Sequence, residues 1–132
     1  MWEQIRANKR NSIVLMGLMA VVLFLLGFLI GISFFGPRGG LLGVLIAVLV
    51  WGILLAVSFS SGDQILLASS KAQLITPDVH PMLFNVVEEM TIAAGLSKMP
   101  KVYIINDPAP NAFATGRKPE TASVAVTAGL LG

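Results

Sequence analysis

The sequence predicts a membrane α-helical hairpin followed by the beginning of a small α+β domain. Three observations carry this. Between Ser12 and Phe59 the only charged residue is Arg38. That apolar stretch is broken once, by Gly36-Pro37-Arg38-Gly39-Gly40. Beyond Gly62 the charges return and the pattern becomes that of a water-solvated segment, with one helical period and then short β-rich runs. The charged share of the whole chain is 12%, about half that of an ordinary globular domain, and the mean hydropathy is +0.83. The two halves are therefore built for different solvents.

Residues 1–11 hold Arg6, Lys9 and Arg10 against one acid, Glu3. This basic cluster favours a cytoplasmic N-terminus by the positive-inside bias. Residues 12–35 form the first predicted span; at 1.5 Å per residue about 24 residues reach roughly 36 Å, enough for a hydrocarbon core of ~30 Å. Residues 36–40 form a turn, because Pro37 and three glycines do not continue a helix cheaply. Residues 41–59 form the second span, and an even number of spans returns the chain to the cytoplasm. A signal peptide would have a shorter apolar core and a small-residue cleavage site, which Phe34-Phe35-Gly36-Pro37 does not provide. Gly17, Gly27, Gly31, Gly43, Ala47 and Gly52 are candidates for close helix approach, with Gly27 and Gly31 in small-xxx-small spacing. Trp2 suits the membrane interface, whereas Trp51 falls within a span and suits packing between helices.

Residues 60–77 read as a juxtamembrane segment, helical over Gly62–Ala72, with Thr76-Pro77 as its interruption. Asp78 or His80 can cap the next helix, with Pro81 in its first turn and Gly95 as its left-handed stop. Its expected buried face is Val79, Met82, Leu83, Val86, Val87, Met90, Ala93 and Ala94, with Glu88 and Glu89 facing away. Strands are expected at 101–106, 111–115 and 122–127. The last alternates Val124 and Val126 with Ser123, Ala125 and Thr127, a half-buried pattern that leaves an apolar face to be covered.

Several chemistries are excluded or disfavoured. A net charge of +2 and the lack of basic runs interleaved with aromatics argue against nucleic acid. With no Cys, neither disulfides nor thiolate metal sites can form. His80 is the only imidazole, and beside Pro81 it reads as a cap. Asp63 and Asp107 read as structural, and Arg117 and Lys118 as a solvated loop tip.

Pro108-Ala109-Pro110-Asn111-Ala112-Phe113-Ala114-Thr115-Gly116, followed by Ala125-Val126-Thr127-Ala128-Gly129-Leu130-Leu131, resembles the HtpX-type membrane zinc metalloproteases. The preceding order also resembles that family: a membrane hairpin, a juxtamembrane helix, then an amphipathic helix ending in Ala-Gly before Pro-Lys-Val-Tyr. The resemblance covers essentially all of residues 1–132. It implies a zincin-like (gluzincin) domain at 78–132, incomplete in this chain, and localisation in the inner or plasma membrane. It implies an endopeptidase of membrane-protein quality control, with the lipid bilayer and a peptide or membrane-protein substrate as partners. It also implies Asn111, Ala112 and Phe113 as substrate-binding residues on an edge strand beside the cleft; from the residues alone Phe113 reads as a core anchor and Asn111 as a turn residue after Pro110. In such enzymes a His-Glu-x-x-His helix supplies two zinc ligands and a general base.

That motif is absent from this sequence. The resemblance thus implies zinc for the full-length family member, with no catalytic residue, metal ligand or bound zinc in this chain alone. The chain is expected to be an N-terminal fragment. The alternatives are a membrane-anchored adaptor or pseudoenzyme with a peptide-binding edge strand, and a helix-packing partner for another membrane protein. Residues 62–132, too few to bury a large core and without staples, are expected not to fold cooperatively alone.

Overall fold

A computed structural model describes residues 2–132. The chain divides into two compact units, Met1–Ser60 and Ser61–Gly132.

The first unit contains α1 (Trp2–Phe35) and most of α2 (Gly39–Ser69). Both helices outrun the predicted spans. The basic N-terminal residues are helical in α1, and the juxtamembrane segment continues α2 to Ser69. At 1.5 Å per residue the helices are about 50 Å and 46 Å long, against a hydrocarbon core of ~30 Å. The turn is correspondingly shorter than 36–40, since Gly39 and Gly40 are already helical. Gly36, at φ +70°, ends α1, and its carbonyl accepts from Gly39 N–H at 2.8 Å.

The helices touch through backbone. A methyl group at Gly31 would overlap the Gly39 carbonyl, and one at Gly43 would overlap the Gly27 carbonyl. Ala47 is buried beside Gly27. Gly17 and Gly52, also candidates for close approach, have open space around them instead. Trp51 packs edge-on against Phe24, with ring centroids 5.9 Å apart. Only 6% and 11% of the most apolar stretches of α1 and α2 is buried, and both helices are long and apolar enough to cross a membrane. Ser33 and Ser60 hydroxyls donate back to the Leu29 and Ala56 carbonyls at 2.8 Å, so neither asks lipid for a partner.

The second unit is a four-stranded sheet with one helix of substance. β1 (Gln73–Leu74), β2 (Lys101–Ile105), β3 (Ala112–Thr115) and β4 (Ser123–Thr127) lie in the order β1-β2-β4-β3. β4 runs parallel to β2, whereas β1 and β3 are antiparallel to their neighbours. The core joins Ile75, Leu83, Val102 and Val126, with Phe84, Val87, Met99, Ile104, Val124 and Leu131 packed around it.

α3 (Pro81–Ala93) is framed by its expected signals. His80 Nδ1 accepts from Leu83 N–H at 3.2 Å, and Pro81 occupies the first turn. At the far end Gly95 takes φ +66°; its N–H reaches Ile92 O, and Leu96 N–H reaches Thr91 O, the paired bonds of a Schellman stop. The packed face differs from the expected one. Leu83, Phe84, Val87 and Thr91 turn inward, while Val79, Met82, Val86, Met90, Ala93 and Ala94 are exposed. On a wheel of 100° per residue the buried stripe is rotated by roughly a quarter turn. The cause is that α3 has two adjoining apolar stripes and the sheet fills only one. Thr91 is tolerated inside because its hydroxyl bonds Val87 O at 2.7 Å.

β4 also corrects an expectation. The alternating pattern predicts one solvated face, yet Ser123, Ala125, Val126 and Thr127 are all buried and Val124 is half-buried. A strand between two neighbours is covered from more directions than its own sequence reveals.

Candidate functional site

The candidate site is the outer edge of the sheet, and its position follows from how the chain reaches it. β2 ends at Ile105, level with Thr127 of β4. The next strand does not pair with β2. The chain crosses the end of β4 over residues 106–111 and returns as β3 on the far side. Asp107-Pro108-Ala109-Pro110 makes that crossing compact: Asp107 Oδ1 accepts from Ala109 N–H at 2.8 Å, a structural turn, as expected for this aspartate.

Gly129 lies under the crossing. Its N–H donates to Asp107 O at 2.9 Å, and a methyl group there would overlap the Pro108 carbonyl. Thr127 joins the same loop. Its Oγ1 accepts from Asn111 N–H at 2.8 Å and has two carbonyls within donating distance, Ala109 O at 2.7 Å and Asn111 O at 3.0 Å. Its backbone N–H donates to Asn111 O at 2.9 Å. Thr127 is 5% exposed. Thr127 and Gly129 lie in the run that carries the family resemblance, but the sequence gives neither a role at the site, and the strand alternation assigns Thr127 to solvent.

The three residues singled out by resemblance lie together at the start of this edge. Asn111 precedes β3 with its backbone turned toward β4; Ala112 and Phe113 open the strand. In an antiparallel ladder the bonding direction alternates. With the Asn111 carbonyl facing β4, the Phe113 and Thr115 backbone groups face β4 as well. The Ala112 and Ala114 groups then face outward. Asn111 Oδ1 reaches the Ala112 N–H at 2.9 Å. The side chains divide the other way. Phe113 stands opposite Ala125, on the face away from the α3 core, and is half-buried. Ala112 and Ala114 are exposed, opposite Val126 and Val124.

Among the described residues no three His, Asp or Glu side chains come together. His80 accepts the Leu83 N–H as a helix cap, and Asp63 lies within α2.

A hairpin of exposed apolar helices, with a small mixed sheet that closes on an open strand, is the architecture of a membrane protein carrying the start of a zincin-like domain. Residues 77–132 match the family model described as Peptidase family M48. Nearly the whole chain is similar to proteins named Protease HtpX homolog. The similarity is 39% identity to that of Dictyoglomus thermophilum over 98% of this chain and 42% of that protein. It is 38% to that of Ligilactobacillus salivarius over 99% and 43%, and 37% to that of Limosilactobacillus fermentum over 99% and 43%. No solved structure matches. The chain is thus similar to HtpX-type proteins of peptidase family M48, and it spans about two fifths of the length of the curated relatives it matches.

Proposed function

We propose that this chain is the membrane anchor and the first part of the substrate-binding sheet of a zinc-dependent endopeptidase that acts on membrane proteins. The observation that carries this reading is the edge strand β3. Its outward backbone groups, the Ala112 carbonyl and the N–H and carbonyl of Ala114, suit pairing with an extended polypeptide, while the Ala112 N–H is held by Asn111 Oδ1. Backbone pairing is indifferent to side-chain identity, which fits an enzyme that must accept many damaged sequences. The anchor holds this edge on the molecule that meets the bilayer, and so raises the effective concentration of membrane-bound substrates. The basic cluster Arg6, Lys9 and Arg10 supports a cytoplasmic N-terminus, with the sheet unit on the same side.

Zinc, when bound to the full-length protein, would activate a water for peptide hydrolysis. The residues of this chain supply neither its ligands nor the base, and their part is to bind and align the substrate strand. The test is hydrolysis of an unfolded membrane protein by the full-length gene product in proteoliposomes. Cleavage that is lost on chelation and restored by zinc is the expected result. Peptide binding without cleavage would replace this reading with the membrane-anchored adaptor. Neither binding nor cleavage would remove the role assigned to β3.

A further inference from the structure

We infer that Thr127 is a positioning residue for the substrate edge: its single hydroxyl, clamped with Gly129 onto the crossing loop, sets where β3 begins. The inference rests on the reading of β3 as the polypeptide-binding strand.

The argument begins with topology. Because β4 lies between β2 and β3, the chain must pass over the end of β4 before it can form the edge. A loop so placed has no ladder to fix it. Its position decides which residue of β3 first pairs, and a slip of one residue would exchange the inward and outward backbone groups along the strand. Ala112 and Ala114 would then turn toward β4.

Two devices oppose that slip. Thr127 engages Asn111 at both backbone groups, accepting from its N–H through Oγ1 and donating its own N–H to the carbonyl. The hydroxyl proton is directed back into the loop, to Ala109 O or Asn111 O. One side chain thus takes the donor that leads into β3 and supplies a donor to the turn before it. Valine has the same shape and can do neither. Gly129 sets the height of the crossing, since its lack of a side chain lets the Pro108 carbonyl rest on it. Thr127 is buried, so water does not readily replace the hydroxyl's role.

The experiment compares wild type with Thr127→Val and Thr127→Ser in the full-length gene product, using a fluorogenic peptide and amide hydrogen exchange. Thr127→Val is expected to raise KM about tenfold, the cost of leaving the Asn111 N–H without its acceptor. Its kcat is expected to stay within a factor of two, and exchange is expected to quicken at residues 111–115 but not in β2. Thr127→Ser, which keeps the hydroxyl, restores KM. If Thr127→Val folds poorly, Gly129→Ala tests the same clamp from the other side, with the same rise in KM expected. An unchanged KM in a folded variant overturns the inference, as does a rise that serine does not reverse. A wild-type protein that neither binds nor cleaves the peptide would instead fail the reading of β3, a result distinct from either.

Discussion

The hairpin and the sheet unit make their contacts in opposite ways. Between α1 and α2 the close contacts are glycine backbones, and the large apolar side chains point outward. In the sheet unit the large side chains point inward: Val102 is 1% exposed, and Leu83 and Val126 are buried with it. The difference is one of solvent. Lipid tails are as apolar as leucine, so burying a leucine between two membrane helices gains little, and close van der Waals approach decides instead. Water makes the removal of apolar surface the main gain.

The comparison breaks first at the glycines. Gly43→Leu places a side chain where the Gly27 carbonyl lies. Backbone cannot yield as a flexible side chain can, so the helices must part, and a loss of about 3 kcal/mol in hairpin stability is expected. Gly17→Leu, which meets open space, should change it by less than ~0.5 kcal/mol. Energy transfer between labels at the helix ends, followed during denaturation in detergent, reads both. Equal effects would mean that glycine content, rather than contact, holds the hairpin.

The same logic inverts in the sheet unit. Leu83→Ala removes a buried side chain from the core cluster and should cost about 2–3 kcal/mol. Met82→Ala, one residue away on the exposed stripe, should cost less than ~0.5 kcal/mol. Hydrogen exchange of the β2 and β4 amides in the detergent-solubilised full-length gene product measures both. Similar losses would mean that the exposed stripe of α3 is also packed.

Much of this was legible in the sequence, for stated reasons. A charge gap from Ser12 to Phe59 with one interruption dictates two apolar helices, and His80-Pro81 and Gly95 frame α3 through local chemistry. What was not legible depended on neighbours. β1 is two residues long and exists only through its pairing with β2. The quarter-turn error on α3 arose because Met82 and Val86 are as apolar as Leu83 and Val87, and only the sheet selects between them. At the site, the NAFAT run pointed to the edge strand. The roles of Thr127 and Gly129 are not legible because their partners, Ala109, Asn111 and Pro108, come from a loop some 16 to 21 residues earlier, brought to them by a crossing that no local pattern encodes. The helicity of residues 2–11 and the continuity of α2 from the second span into the juxtamembrane helix are not legible either, because hydropathy marks where lipid can be and not where the helix ends.

The smallest effect tests the end of α2, where a helix rich in apolar residues meets the sheet unit's first strand. Lys71 takes φ +53°, the only residue other than glycine with a positive φ among the described residues. It occupies the left-handed position of a Schellman stop: its N–H reaches Ala68 O at 3.0 Å, and Ala72 N–H reaches Leu67 O at 2.9 Å. A Cβ in that conformation crowds the following backbone at a cost of roughly 1–2 kcal/mol, which glycine avoids. Glycine in turn gives up more freedom on folding, by roughly 0.5–1 kcal/mol. The net expectation for Lys71→Gly is a gain of about 0.5 kcal/mol, read as slower exchange at the Lys71 and Ala72 amides. Lys71→Ala keeps the strained Cβ and should show no gain, whereas Lys71→Val, β-branched and least tolerant of this conformation, should lose stability. A gain for alanine equal to that for glycine would locate the cost in the lysine side chain and remove backbone strain as its cause.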